Sequence, residues 1–557
     1  MNRLLLATLI AAACGTAAAG WFGHDRQIND TALDSVQVFD GTRPFVNTTN
    51  ADATLAAYGT NLVSVFRTSG AKVGEAADGS LFVERDLRIG YATSNNGGLT
   101  WRSATMPPLP GSTQTLGSGT VDVDRRGRFF AAGISADANG TPTIAVNRSV
   151  DGGRTFAPAV AVDADGPVRR PWLAIGPDPA RRDRDNVYVT WTRFAGVASS
   201  LRFAKSTDGG ATFTTRTIFA PGPDPDQSNP QDAIAFSRPV VDPWTGKLYV
   251  AFLQFGNVAQ DYLRIHVSED GGETFTPLRF NLPGAPNPEV YPVVQPGTLT
   301  ECSATRFDPP GGGAPSFFSN WGLTLHTGPD VGGSSGGLPR YVNASQVVLQ
   351  PALAVSKGVI HLAWSNSTSP VFGDPASRAN VLYVRSDNDG ATWTAPLVVN
   401  AGDTESLRAV TPTIALGRFP GETALPFLPS PRDVHIGYYA QRADDRVVVK
   451  LAHSRDRGRT FPAALTQTLS SEPMTLAPTN IPLPSASNPF QTTNYNRFNA
   501  QCASVGDYAG IVVGLGTVHA AWGDSRHTVR QPVHPLDPIS GQVHAKEDVF
   551  HAAMPIP

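Results

Sequence analysis

Short runs of alternating apolar and polar residues, bounded by Gly, Pro, Asn and Asp, recur along the chain. Typical runs are LRFAKS (201–206) and VLYVRS (381–386). Alternation with period two places every second side chain on one face, and these runs are rich in the β-branched and aromatic residues that strands favour. The pattern predicts many short antiparallel strands.

An eight-residue string follows several of these runs and occurs six times. The copies are SNNGGLTW at 94, SVDGGRTF at 149, STDGGATF at 206, SEDGGETF at 268, SDNDGATW at 386 and SRDRGRTF at 454. Ser, Asp or Asn, and Gly in this order predict a tight hairpin turn, because the short polar side chains bond to backbone amides and Gly accepts a positive φ. Successive copies begin 55, 57, 62, 118 and 68 residues apart, which indicates a repeated supersecondary unit.

Each repeat has the sequence pattern of four short strands. Four-stranded sheets arranged around a ring form a β-propeller, in which each sheet is one blade. After the sixth copy the chain supplies three more strands, and DSVQVFDG (34–41) resembles AVAVDADG (159–166), a strand that follows a copy. We therefore expect residues 34–41 to pair with the C-terminal strands and close the ring. This count predicts seven blades, with six blades or a degenerate additional blade as alternatives. Residues 281–345, rich in Gly and Pro, are interpreted as an insertion.

The repeated strings resemble the Asp boxes, or BNR repeats, of the sialidase superfamily, over roughly residues 34–552. The resemblance implies an all-β propeller whose Asp boxes lie at the blade periphery, away from the active site. It also implies a retaining, exo-α-sialidase-type glycoside hydrolase that acts on terminal anionic sugars without a cofactor. Whether the chain is an enzyme stays open. The alternatives are a non-catalytic propeller that binds glycans or a protein at the cell surface, and a hydrolase or lyase of another polysaccharide.

Three Arg-Pro steps, at Arg43, Arg170 and Arg238, open strands that we expect to be innermost in their blades. Guanidinium groups brought together repel one another unless an anion balances them, and their forked donors fit a carboxylate. Sialidases bind the carboxylate of sialic acid with three arginines, the first in an Arg-Ile-Pro motif. Here TRPF (42–45) lacks the Ile. The alternative is that each arginine pairs with an acidic neighbour or faces solvent.

The resemblance also nominates catalytic residues. Tyr508, in GDYAGIVV, matches the nucleophile, although Ala509 stands where the family has Ser. NPEVYPVVQPGTLTECSATR (287–306) loosely matches the segment that supplies the base and a further arginine, which nominates Glu289 and Arg306, and GEAADGS (74–80) nominates Asp78 as the acid. A neutral Tyr avoids repulsion from an anionic sugar, but its high pKa requires a nearby base. The alternatives are that Tyr508 only lines a loop, that Glu289 and Arg306 belong to a structural insertion, and that Asp78 lies in an exposed loop.

Composition and the N-terminus limit the partners. The 557 residues carry a formal net charge of -3 without a basic stripe, which argues against a nucleic-acid partner. Residues 1–19 read as a signal peptide, so we expect a secreted or periplasmic protein, with lipid anchoring at Cys14 as an alternative. Separately, we expect a monomer. No later segment is long and apolar enough to span a membrane. Two cysteines remain, Cys302 and Cys502, and their pairing stays open.

The acidic stretch GPDPDQSNPQD (222–232) offers oxygen ligands of the kind that calcium prefers. A structural calcium site and an ordinary polar loop are the two interpretations. No other metal site or cofactor is predicted from the sequence.

Overall fold

The structure is a computed structural model, and it describes part of the chain. The described residues are 25–33, 36–39, 43–46, 49–75, 81–164, 168–195, 198–221, 233–255, 261–282, 287–293, 323–325, 345–347, 350–368, 378–418, 422, 429–444, 446–475, 509–530 and 543–557. These residues form β-strands and short 3-10 turns, and they contain no α-helix. Accordingly, no helix in this part of the chain has the length and hydropathy needed to cross a membrane.

Three short strands precede the repeated units. They are β1 (Arg26–Gln27), β2 (Val36–Phe39) and β3 (Arg43–Val46), with a 3-10 turn at Thr31–Leu33 between the first two. β2 and β3 pair with each other as an antiparallel hairpin.

Four-stranded antiparallel units follow, and within each unit the strands pair in chain order. The first three units are β4 (Thr49–Tyr58), β5 (Asn61–Glu75), β6 (Leu81–Ser94) and β7 (Arg102–Thr105); β8 (Thr115–Val123), β9 (Phe129–Ala136), β10 (Pro142–Ser149) and β11 (Val160–Asp163); and β12 (Val168–Pro177), β13 (Asp185–Ala195), β14 (Ala198–Ser206) and β15 (Thr214–Phe219).

The fourth unit is β16 (Ala233–Val241), β17 (Leu248–Phe255), β18 (Asp261–Ser268) and β19 (Thr276–Pro277), with β20 (Tyr291–Val293) also paired to β18. Two further strands, β21 (Leu323–Leu325) and β22 (Ser345–Val347), pair with each other. The fifth unit is β23 (Ala352–Ser356), β24 (Val359–Ser367), β25 (Ala379–Ser386) and β26 (Leu397–Val398).

The sixth unit is β27 (Ser406–Leu416), β28 (Val434–Arg442), β29 (Arg446–Ser454) and β30 (Gln467–Thr468), with a 3-10 turn at Ala463–Leu465 and with β31 (Met474–Thr475) also paired to β29. The last unit is β32 (Gly510–Val513), β33 (Thr517–Arg530) and β34 (Val543–Pro555), and β1 from the N-terminus supplies its fourth strand.

The first strand of each unit is its innermost strand. These strands contact one another in a closed order, β4, β8, β12, β16, β23, β27 and β32, and β32 contacts β4 again. They surround a central channel of about 370 Å³. The fold is therefore the all-β propeller that the sequence predicts. Most of the predicted insertion at 281–345 lies outside the described residues, so the blade number of the whole chain stays a prediction.

An N-terminal strand joins the C-terminal unit, as predicted, but it is β1. Arg26 pairs with His551 and Gln27 with Phe550. Buried Asn29 extends the contact, because its Nδ2 donates to Asp548 Oδ1 at 2.9 Å and its Oδ1 accepts the Val549 N–H at 2.8 Å. The prediction that residues 34–41 supply this strand is wrong, because Val36–Phe39 pairs locally with Arg43–Val46.

The six repeated strings, called boxes below, form turns between the third and fourth strands. In the third box, Ser206 Oγ donates to Asp208 Oδ1 at 2.7 Å and accepts the Gly210 N–H at 2.8 Å. Asp208 in turn accepts the Thr212 N–H at 3.0 Å and the Thr212 hydroxyl at 2.6 Å. These bonds hold the turn in one conformation. Burial is the largest single influence on the pKa of Asp208 and raises it, but the hydrogen bonds together outweigh burial and lower the pKa to about 2.

The boxes also join neighbouring blades. Gly210 has a φ of +83°, and a Cβ there would lie 3.1 Å from the ring of Phe130 in the preceding blade. In the first box, the Gly97 N–H donates to Thr60 O, in the turn between β4 and β5. The boxes therefore lie at the ends of the blades where the innermost strands finish, which we call the box end.

Candidate functional site in the central channel

Five innermost strands share an irregularity near their starting ends, at the mouth opposite the box end. Each contains a β-bulge, and one residue of each bulge has a positive φ of 53–59°. These residues are Asp52, Ser118, Arg170, Phe236 and Thr411. Such a backbone conformation is unfavourable for residues with side chains, and it persists where the surrounding structure holds it in place. The repeated bulges provide a register for comparing residues between blades.

This register separates two of the predicted arginines. Arg170 is the positive-φ residue of its bulge, so its counterpart in the next blade is Phe236. Arg238 lies two residues further along its strand and corresponds to Trp172. The equivalent register on which the predicted convergence depended therefore does not hold for these two Arg-Pro steps.

Instead, each arginine covers the aromatic counterpart of the other. Arg170 Cζ lies 4.2 Å from the ring centroid of Phe236, and Arg238 Cζ lies 4.2 Å from that of Trp172. A guanidinium group this close to an aromatic face is attracted by the ring, and its plane is held by the contact. The two pairs join the third and fourth blades at the channel.

Arg238 lines the channel together with Trp172 and Asp122. Burial lowers the pKa of Arg238 to about 10, and the Asp122 charge raises it in part. Among the described residues, the Arg238 guanidinium donates no hydrogen bond to a protein acceptor. A half-buried cation with unused donors is costly unless an anion balances it. The arrangement favours an anionic ligand in the channel.

Asp122 is a second ionisable group in the channel. Its Oδ2 accepts the Ile175 N–H of the next blade at 2.8 Å, and its Oδ1 accepts the Val123 N–H at 2.8 Å. Burial raises the pKa of Asp122 to about 6, against the smaller effects of these bonds and of Arg238. A carboxyl group with this pKa can hold a proton in mildly acidic solution and donate it as a general acid.

Sequence reasoning missed Asp122. Its counterparts in the neighbouring blades, four residues after the positive-φ residue of each bulge, are Ala56 and Ala174. A carboxylate within the otherwise apolar end of an innermost strand was the available signal. It is visible only once the blades are aligned by their bulges.

The structure places the other candidate residues apart from this pair or does not describe them. Glu289 Oε2 lies 3.6 Å from Arg264 Nη1 in β18, two strands outward from β16, and Glu289 does not line the channel. Arg43 lies in β3 of the N-terminal hairpin rather than in the innermost strand β4.

Asp78, Arg306 and Tyr508 lie outside the described residues, as do the candidate calcium segment 222–232, Cys302 and Cys502. Ala509, the neighbour of Tyr508, lines the channel. The roles given to all these residues stay predictions. Within the described ranges, no group of three His, Cys, Asp or Glu residues has an arrangement that could hold a metal ion.

Neither a protein-family model nor a curated protein matches the chain. Solved structures with a similar fold include an ulvan lyase of polysaccharide lyase family PL25 bound to -[GlcA(1-4)Rha3S]-, at 10% identity and a TM-score of 0.44, covering 90% of this chain and 93% of the lyase. The Hadza microbial sialidase Hz136 matches at 14% identity and a TM-score of 0.38, covering 86% and 73%. Trypanosoma rangeli sialidase matches at 9% identity and 0.35, covering 95% and 58%. These similarities concern the fold alone.

Proposed function

We propose that this protein is a carbohydrate-active propeller that binds an anionic sugar in its central channel. The observation that supports this proposal most is the half-buried Arg238 guanidinium, stacked on Trp172 and without a hydrogen-bonded acceptor among the described residues. The forked donors of a guanidinium group fit a carboxylate, which acidic sugars carry. The sugar carboxylate takes the place of the missing acceptor beside Arg238.

The finer form of the proposal is exo-sialidase-type hydrolysis with retention, which follows from the Asp-box resemblance. Tyr508 is the nucleophile, Glu289 its base, and Asp78 the acid. Arg43, Arg170 and Arg306 are additional carboxylate ligands. The position of Tyr508 next to Ala509, a channel residue, supports its part in this set. Asp122 is an additional candidate for the acid, because its pKa of about 6 suits proton donation.

The alternative form is a channel that binds the acidic sugar without chemistry. One observation favours it. Glu289 lies beside Arg264 on the outer strand β18, so Glu289 does not provide a base at the channel for a tyrosine nucleophile. Both forms share the Arg238 contact and differ in the need for Tyr508.

The test measures hydrolysis of a fluorogenic sialoside and, separately, binding of free sialic acid and of glucuronate. We expect Arg238→Gln to weaken binding at least about tenfold, whereas Tyr508→Phe retains binding and lowers hydrolysis by at least about 100-fold. If Asp122 is the acid, hydrolysis falls as the pH rises above about 6, and Asp122→Asn removes that limb of the profile. Binding without hydrolysis by the wild-type protein refutes the sialidase form, and failure to bind either sugar refutes the proposal itself.

A further inference from the structure

A second group of charged and aromatic residues surrounds the other mouth of the channel, at the box end. It is formed by the turns that join the first and second strands of five consecutive blades. We call this group the box-end rim, and it consists of Tyr58, Arg126, Arg182, Trp244 and Lys357. Pro243, next to Trp244, lines the channel, so the rim borders the channel opening.

The aromatic members of the rim are unusually accessible. Tyr58 is 42% exposed and Trp244 is 38% exposed, whereas most large apolar side chains among the described residues are buried. The ring of Tyr58 lies over the next turn, where a Cβ on Gly127 would lie 2.6 Å from Tyr58 Cε1. Exposed aromatic rings beside polar groups are typical of binding surfaces.

Trp244 is accompanied by two cations from the neighbouring blades. Arg182 Cζ lies 5.9 Å from the Trp244 ring centroid, and Lys357 Nζ lies 5.1 Å from it. Arg182 Nη1 also donates to Thr245 O at 2.9 Å. These contacts bring positive charge from the third and fifth blades to the aromatic ring of the fourth.

The turns that carry the rim are bonded to one another. Buried Asp242 accepts the N–H groups of Trp244 at 2.9 Å and Lys357 at 3.1 Å, which connects the fourth and fifth blades. Arg125 forms an ion pair with Asp185 at 2.6 Å and donates to Arg182 O at 2.9 Å, which connects the second and third. The rim is therefore a preorganised surface, which lowers the entropic cost of binding.

The charge of the rim is predominantly positive. Arg126 and Arg182 are exposed, and among the described residues neither has a carboxylate partner. Asp183 is an exposed carboxylate in the same turn as Arg182. Glu269 and Asp389, beside the turn of Trp244, are each paired with Lys247 at 2.8 Å, so the three cations of the rim outnumber the one remaining carboxylate. Separate positive charges across several blades, with aromatic rings between them, fit an extended anion better than a small one.

We propose that the box-end rim is a second binding surface, which holds an acidic polysaccharide chain. The cations pair with its carboxylates or sulfates, and the rings of Tyr58 and Trp244 pack against the apolar faces of its sugars. This surface is separate from Arg238 and Asp122, and it does not depend on the function proposed for the channel. An acidic protein is the competing partner, and it lacks the regular sugar faces that the aromatic rings fit.

Affinity electrophoresis of the full chain tests the proposal, with polygalacturonate, dextran sulfate, neutral dextran and polyglutamate as four separate additives. We expect polygalacturonate or dextran sulfate to retard the protein, and whichever does so more strongly identifies the anion. Neutral dextran has no effect, and polyglutamate binds at least about tenfold more weakly than that polysaccharide. Retardation weakens as salt rises.

Variants distinguish binding at the box-end rim from nonspecific attraction to surface charge. Arg126→Glu with Arg182→Glu weakens binding at least about tenfold, and Trp244→Ala weakens it about threefold or more. The matched control, Arg102→Glu with Arg446→Glu, reverses two exposed charges on other parts of the blades and changes binding less than about twofold. Equal loss in the control, polyglutamate binding as tight as that of either polysaccharide, or no retardation of the wild-type protein overturns the proposal. Melting temperatures establish that each variant is folded.

Discussion

The boxes and the channel are made from the same repeated unit, but their residues behave in opposite ways. Within the boxes, equivalent positions carry the same groups, and the hydrogen bond that the Gly210 N–H donates to Ser206 Oγ has counterparts at Ser149 and Ser454. In the channel, the position after the bulge holds Thr in three blades (Thr54, Thr120 and Thr413), but it holds Trp172 and Arg238 in the third and fourth blades. Repetition therefore marks contacts that every blade needs to fold. Equivalent positions that hold different residues from blade to blade mark the proposed ligand-binding site.

The two glycine positions of the boxes show the same contrast on a smaller scale. The first glycine position holds Asp389 and Arg457 in the last two boxes, with positive φ of 59° and 65°. The second is Gly in all six. A Cβ on Gly97, at the first position, meets no atom within 4 Å, whereas one on Gly458, at the second, would lie 2.0 Å from Tyr383 Oη in the preceding blade. The second glycine is thus required by contact between blades.

Acid is expected to have the largest effect on the fold. Burial lowers the pKa of buried histidines in four of the blade units, among them His435, His453 and His519, each to about 4, and His361 to about 3. The unfolded chain binds these protons near pH 6.5, so the stabilisation is complete above that pH and is lost as the pH falls through about 4.

Each such histidine contributes a slope of up to about 1.4 kcal/mol per pH unit. His527, whose pKa the Asp548 carboxylate raises, opposes this trend, as does Asp122 with its raised pKa. Urea unfolding between pH 7.5 and pH 4.5 measures the net effect. We expect the free energy of unfolding to fall steeply below pH 6.5, and a constant value down to pH 5 would contradict this account of the core.

Gly458→Ala tests the contact between blades at a box. The new methyl group meets the buried, hydrogen-bonded Tyr383, and the positive φ adds strain, so we expect a loss of roughly 3 kcal/mol or more. Gly97→Ala is the matched control, because it has a φ of +70° and open space around it, and it costs only about 1 kcal/mol. Chemical denaturation measures both, and equal losses would show that backbone strain, not contact between blades, conserves the second glycine within this chain.

Asn29→Ala tests the closure of the ring by β1. The substitution removes both hydrogen bonds to the last blade and leaves buried groups of Asp548 and Val549 without that partner. We expect a loss of about 2–3 kcal/mol in the free energy of unfolding. Gln27→Ala, at a half-buried position within β1, serves as the control and costs less than about 1 kcal/mol. A loss at Asn29 no larger than that at Gln27 would mean that β1 contributes little to closure.

The fold was predictable from the sequence because boxes and strands repeat their chemistry. The closing strand was not, because Val36–Phe39 has a strand pattern as good as that of Arg26–Gln27, and the contacts of Asn29 with Asp548 and Val549 join residues over 500 positions apart. The site was predicted less well. Arg238 was identified by its Arg-Pro step, but the two-residue offset from Arg170 depends on bulges that leave no clear sequence signal.

The most direct test is a calorimetric titration of sialic acid and of glucuronate into two variants, each compared with the wild-type protein. Arg238→Gln removes the channel cation, and Thr212→Val removes the hydroxyl that donates to Asp208 at 2.6 Å in a box. We predict that Arg238→Gln loses binding at least about tenfold with little change in melting temperature, whereas Thr212→Val melts lower and binds normally. Undiminished binding by Arg238→Gln, or equal loss of binding in both variants, would contradict the division between a repeated scaffold and an unrepeated site.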